Sequence, residues 1–249
     1  MINAFLKIPI NFLNICKIYP PSINDIYNNE DYSYYHNILT ISQEDIEDLY
    51  VEQNLINQVK EIPTPFRFLL IQAYNNTDFY QKIRDAFKFF CKEEITILFD
   101  KEEIMLCDIE KQLENMENPE DLLKIPTISE DNYLEFQNCI RDSLGEKRKE
   151  PLPKDLHPKK REMLAKERLR DKIKNKQGKG ISLETSIISI CCMGIGLTPL
   201  NIGDISVAAV SDIMNTYQKK EKYDIDIRSL LAGADSKKIK PKYWIFNDN

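Results

Sequence analysis

Residues 77–107 read TDFYQKIRDAFKFFCKEEITILFDKEEIMLC, and this stretch contains both patterns that decide the fold class. In its first half, apolar residues recur every three or four positions after Thr77, which is suited to cap a helix. The pattern then changes to two short apolar runs, 95–99 and 104–107, around the polar residues 100–103. Such runs are typical of a β-hairpin with a four-residue loop. We therefore predict a helix followed by a small hairpin.

Helical spacing recurs over most of the remaining chain. Ser42 with Asp45 three residues later resembles a capping box, Pro65 begins another helical pattern, and Ser129 is suited to cap a further one. Prolines in residues 1–22 favour an extended opening segment. Charged residues make up 30% of the chain and Gly only 7 residues, a balance that favours helices over glycine-rich turns. The predicted fold class is mostly α (α+β).

The distribution of charge predicts how the chain is divided. Residues 141–180 hold 15 basic and 7 acidic residues, whereas the rest of the chain holds 19 basic and 33 acidic ones. This basic segment contains prolines near its start and the glycine-containing stretch 176–180 at its end, so both ends are typical of linkers. We predict two helical blocks joined by a basic helical linker. The boundaries are 1–145 for the first block with its hairpin near 95–107, 146–180 for the linker with a central helix, and 181–249 for a C-terminal helical domain with an aromatic tail.

Nothing in the sequence points to catalysis. Adjacent carboxylates such as Glu47 and Asp48 are interpreted as solvated charges at a helix start, which the helix dipole favours. There are two histidines, no Walker motif, and a Gly194-Ile-Gly196 turn that follows a helix rather than a strand. We predict no catalytic, metal-binding or cofactor-binding residues. The six cysteines form no CxxC pair and are expected to be reduced core residues.

The sequence also predicts a soluble protein of the cytoplasm. The longest apolar run, residues 187–197, is too short to span a membrane, and the first 19 residues lack the features of a secretory signal.

The basic helix at 159–176 and the aromatic tail are the candidate partner surfaces. The sequence leaves four interpretations of the helix open. It is a solvated hinge, an arm that folds back on the acidic blocks, a docking surface for an acidic partner, or a segment that binds phosphate. Nucleic acid is the less favoured partner, since no aromatic residues alternate with the basic ones. The tail is either docked on its own block or an anchor for a partner. The candidate partner-binding residues are Lys159, Lys160, Arg161, Lys166, Arg168, Arg170, Tyr243, Trp244 and Phe246.

The C-terminal block resembles tail assembly proteins of bacteriophages. The resemblance is carried by GIGLTP at 194–199, IGDIS at 202–206 and YDIDIRSLLAGADSKK at 223–238, followed by the late Trp244. It implies a small helical domain with a turn before a polar-patterned helix, and a non-enzymatic protein that binds partners. In that family, tail chaperones hold the long helices of the tape-measure protein before the tube assembles, and no catalytic residues carry over.

These observations lead to one main hypothesis and two alternatives. The main one is a phage morphogenesis protein, a tail assembly chaperone that binds tail or tape-measure proteins in the host cytoplasm. The first alternative is a structural component of the mature virion, at the head-tail connector or baseplate and among neighbouring virion proteins. The second is a nucleic-acid-binding regulator that uses the basic segment. A homo-oligomer is compatible with each of them.

Overall fold

The computed structural model describes residues 2–52, 62–108, 125–150, 158–175, 182–235 and 239–243. Over these residues the chain is mostly helical with two small antiparallel sheets, which confirms the predicted fold class. The helices are α1 (Ile2–Phe5), α2 (Ile23–Tyr27), α3 (Tyr32–Thr40), α4 (Gln43–Glu52), α5 (Pro65–Asn75), α6 (Thr77–Cys91), α7 (Glu130–Ser143), α8 (Pro158–Asn175), α9 (Leu183–Cys192) and α10 (Val207–Leu231). The strands are β1 (Ile10–Phe12), β2 (Cys16–Ile18), β3 (Thr96–Leu98), β4 (Glu103–Met105) and β5 (Thr127–Ile128).

Side-chain caps explain where the main helices begin. The Asp45 carboxylate accepts hydrogen bonds from the Ser42 N–H (3.1 Å) and hydroxyl (2.6 Å), so the predicted capping box starts α4. The cap of α6 is displaced by one residue from the prediction. Asn76, rather than Thr77, accepts the Phe79 N–H through its side-chain oxygen at 3.1 Å.

The predicted hairpin is present, and the structure adds one strand to it. Strands β3 and β4 pair antiparallel across a four-residue connection, and β5 then pairs with β4. Strand β5 could not be predicted from the sequence, because two residues are too few to show the alternating pattern of a strand. The opening segment is partly extended, as predicted, but its extended part is a second hairpin, β1–β2, and the short helix α1 precedes it.

The main hydrophobic core is centred on Phe136 of α7. Its ring is fully buried, stacks on Phe87 of α6 at 5.0 Å between centroids, and meets Phe12 of β1 edge-on at 5.4 Å. Aromatic pairs at these separations add to the free energy gained by burying apolar area. The core thus joins the β1–β2 hairpin to α6 and α7, which are far apart from it in the sequence.

Four of the six cysteines are buried in the fold, as predicted. Those four are the buried thiols Cys16, Cys91, Cys107 and Cys139. Cys191 is half-buried and Cys192 is exposed, so the prediction of core residues fails for Cys192. Burial raises the pKa of the Cys139 thiol to about 12, so this side chain behaves as a small apolar residue.

A second, smaller core joins the end of the chain to its beginning. Ile190, Ile202 and Val210 pack with Ile23 of α2. Backbone hydrogen bonds reinforce this junction, with Ile23 N–H donating to the Ile205 carbonyl at 3.0 Å. The longest helix described, α10, begins here, and no helix within the described ranges is long and apolar enough to cross a membrane.

We predict that Phe136→Ala lowers the free energy of unfolding by about 3–5 kcal/mol, because it removes a buried ring and leaves a cavity between two other rings. Urea denaturation followed by circular dichroism measures this loss. The matched control is Tyr74→Ala, since Tyr74 is 73% exposed, and we expect a loss of about 1 kcal/mol or less there. Equal losses for the two variants would contradict the central position of Phe136.

Candidate functional site

The basic helix α8 packs along the acidic helix α4. At the centre of this contact, Arg168 donates from Nε to the Asp48 carboxylate at 3.0 Å and from Nη2 to the Glu47 carboxylate at 3.1 Å. Ala165 lies three residues earlier on the same helical face and is fully buried. One guanidinium therefore connects two carboxylates of α4, and this arrangement is the fold-back alternative left open by the sequence.

The two carboxylates are buried, which corrects their interpretation as solvated charges. The side chains of Glu47 and Asp48 are 3% and 5% exposed, and that of Arg168 is 26% exposed. A carboxylate is expensive to bury unless a cation or several hydrogen bonds accompany it. Burial by itself lowers the pKa of Arg168, but the neighbouring Asp48, Glu47 and Glu44 outweigh this effect and raise the pKa. The guanidinium is therefore a permanent cation in the contact.

Two side chains of α7 hold the corner between α3 and α4 in position. Gln137 donates through Nε2 to the backbone carbonyls of Leu39 (3.1 Å) and Ile41 (2.8 Å), and Arg141 donates to the carbonyl of Thr40 between them. Helix ends leave such carbonyls without intrahelical partners, so side chains must satisfy them when they are buried. Both α7 side chains are buried, and desolvation lowers the pKa of Arg141.

The chain segment that leaves α7 is also held against the fold. The Asn138 side chain exchanges two hydrogen bonds with the backbone of Lys149, at 2.9 and 3.1 Å. The Lys149 ammonium then reaches the Glu44 carboxylate of α4 at 3.2 Å. The start of the predicted basic linker is thus attached to both α7 and α4 before α8 begins.

The opposite face of α8 carries basic side chains into solvent. Lys160, Lys166 and Arg170 are exposed, and Met163 among them is 63% exposed. Lys166 forms an ion pair with Glu162 one turn away at 2.6 Å, a contact of small energy at an exposed site. We call these four residues, Lys160, Met163, Lys166 and Arg170, the basic strip.

The remaining candidate residues divide into two groups. Tyr243 packs its ring edge-on against Tyr223 of α10 at 5.4 Å and is 45% exposed, so this part of the tail contacts its own C-terminal block. The side chains of Lys159 and Arg161 lie outside the described residues, as do Trp244 and Phe246. The structure therefore separates Arg168, which is engaged inside the molecule, from the exposed members of the basic strip.

An acidic cleft of about 310 Å³ lies beside the α3–α4 corner and is lined by Asn37, Asp45, Asp48 and Glu52 among others. Asp45 belongs to the capping box of α4, and Asp48 is paired with Arg168. Both carboxylates thus have structural roles. Within the described ranges, no group of three or more His, Cys, Asp or Glu side chains is arranged to hold a metal ion.

Comparison with known proteins relates the C-terminal part of the chain to phages. Residues 173–247 match the family described as the YomV second domain, and YomV is a protein family related to the SPβ prophage. The matched segment includes α9, α10 and the tail, and it contains all the stretches on which the phage resemblance was based. The phage relation is therefore confirmed for this segment, without a specific role. No curated protein and no solved structure matches the chain.

We predict that Arg168→Met detaches α8 from α4 and lowers the free energy of unfolding by about 3 kcal/mol, because it leaves two buried carboxylates without their cation. The measurement is urea denaturation, with Arg170→Met as the matched control for loss of an exposed arginine. Adding Glu47→Gln and Asp48→Asn to Arg168→Met should recover part of the loss. The ion-pair account fails if Arg168→Met and Arg170→Met are equally stable.

Proposed function

We propose that this chain is a non-enzymatic assembly protein of a phage or prophage, a tail assembly chaperone that holds a tail or tape-measure protein in the host cytoplasm. The observation that carries the proposal is the docked helix α8. Its inner face is attached to α4 through Arg168, and its outer face presents the basic strip to solvent. A helix held in this way offers a surface that is ordered before a partner arrives, which lowers the entropy lost on binding.

The composition of the basic strip favours an acidic amphipathic helix as the partner. Lys160 and Arg170 supply positive charge, Lys166 adds a cation that is paired with Glu162 before a partner binds, and Met163 supplies an exposed, adaptable apolar side chain between them. An amphipathic helix lying on this surface pairs its acidic side chains with the strip and covers the methionine. Long helices of a tape-measure protein are partners of this kind, in agreement with the phage relation of residues 173–247.

The nucleic-acid alternative receives less support from the same geometry. Arg168 is occupied by two carboxylates and is unavailable to phosphate. Glu162 and Glu167 also lie on α8, and the former is paired with Lys166. Phosphate binding depends on the number of cations that can approach the backbone, and these contacts reduce that number.

We predict that the double variant Lys166→Glu/Arg170→Glu loses its tail or tape-measure partner in co-purification from phage-producing cells. The reason is that two cations of the basic strip become anions while the buried face of α8 is unchanged. The matched control is Lys219→Glu/Lys222→Glu on α10, which makes the same charge change at exposed positions and should retain the partner. Circular dichroism checks that both variants fold. Retention of the partner by the strip variant would contradict the proposed surface.

A second prediction separates a chaperone from a structural component. Quantitative mass spectrometry of purified particles and of the producing-cell lysate should find the protein abundant in the lysate and absent from particles. A fixed copy number in particles would instead favour the virion component at a connector or baseplate. Absence from both samples would contradict a role in phage assembly of either kind.

A further inference from the structure

The C-terminal part of α10 is only partly covered by the residues that the structure describes. Its residues 208–210 are buried, and among the described elements α1 and α9 pack most extensively on this helix. None of residues 211–231, all of which the structure describes, is buried, and Leu231 at the end is 84% exposed. At 1.5 Å per residue this part is about 30 Å long. Helical stability in proteins comes mainly from packing of an apolar face, so a further surface against this part would stabilise it.

One face of this helix has the alternating four- and three-residue spacing of a two-stranded coiled coil. We call its residues the α10 seam, and they are Ile213, Tyr217, Lys220, Asp224, Ile227 and Leu231. Four of the six are apolar. The two at the centre carry opposite charges and are four residues apart, in positions where a polar residue determines the register and direction of the partner helix.

The pattern of apolar and charged positions along the seam, two apolar, two charged and two apolar, is the same in either direction. We propose that the α10 seam binds a second copy of this chain, with the two helices antiparallel and a two-fold axis at the level of Lys222. In that register Lys220 meets Asp224 of the other copy, Tyr217 meets Ile227, and Ile213 meets Leu231. Each contact occurs twice, as a two-fold interface requires, so two ion pairs form at the centre with apolar pairs on both sides.

Charge complementarity selects this arrangement over the parallel one. A parallel pair in register places Lys220 against Lys220 and Asp224 against Asp224, and like charges that face each other across an interface are strongly unfavourable. The antiparallel register replaces both repulsions with attractions. The same central pair therefore favours one direction of the partner and disfavours the other.

The surroundings of the seam are compatible with a second helix. Lys220 and Leu231 are exposed, and Tyr217, Asp224 and Ile227 are half-buried. Ile213 is also half-buried and packs in part against the second core, so the first contact of the seam is made by its remaining exposed area. The tail approaches α10 at Tyr223, which lies beside the seam, with Tyr243 packed on it. The basic strip is on a different helix, so this self-association is independent of the function proposed above and can hold or fail without it.

The test uses charge reversal in the full chain, measured by sedimentation equilibrium over a range of concentrations. Wild type should be dimeric. Lys220→Asp alone and Asp224→Lys alone should each weaken the dimer at least about tenfold, because like charges then face each other twice. An equimolar mixture of these two variants should restore dimers, since the carboxylate introduced in one chain then faces the ammonium introduced in the other. Lys222→Asp, a matched change on the opposite side of the helix, should remain dimeric.

Two results would overturn the inference. The first is a wild-type chain that stays monomeric at all concentrations tested. The second is a dimer that is weakened equally by Lys220→Asp and Lys222→Asp, or one that the mixture fails to restore. Because both seam positions carry polar side chains that are not buried, circular dichroism should show all variants folded, and loss of dimer is then a property of the seam.

Discussion

The fold depends on hydrogen bonds to three successive backbone carbonyls at the end of α3. Gln137 and Arg141, one turn apart on α7, donate hydrogen bonds to the carbonyls of residues 39–41. Unpaired polar groups at this depth cost several kcal/mol in total, so α3 can end here only while α7 is in place. The direction of α4 follows directly, because its capping residue Ser42 comes next in the chain.

The docking of α8 is a consequence of that placement. Helix α8 has few large apolar side chains. Hydrophobic burial alone therefore specifies neither the direction of α8 nor its position along the axis of α4. The Arg168 guanidinium specifies the direction and the position of α8, because its two N–H groups must point at the carboxylates of Glu47 and Asp48 at the same time. The net gain in stability from such a buried pair is small or even unfavourable. Its effect is to determine where the basic strip faces.

Much of the fold could be predicted from the sequence, because it depends on local signals. The Ser42 cap, the start of α5 after Thr64 and the hairpin of β3 and β4 follow from residue types a few positions apart. The site could be predicted only in part, because its contacts join distant segments: Arg168 and Asp48 are 120 residues apart. An excess of basic charge next to acidic blocks indicated that a fold-back contact was available. It could not indicate which arginine enters the contact, since that depends on which residue of α8 faces α4.

The chain carries charge at two depths, and under the proposed function this difference affects how a partner is released. Exposed charges such as Lys166 and Arg170 are screened by salt over roughly 8–10 Å, whereas a buried pair is screened much less. A partner bound through the basic strip can therefore dissociate under conditions that leave Arg168 paired and α8 in place. The surface remains ordered for the next encounter, and the energy of each encounter stays modest because the contacts are exposed. The proposed function, reversible holding of another protein, requires a fixed base and a weak contact surface, and the described residues of α8 place Arg168 and the basic strip on opposite sides of this helix.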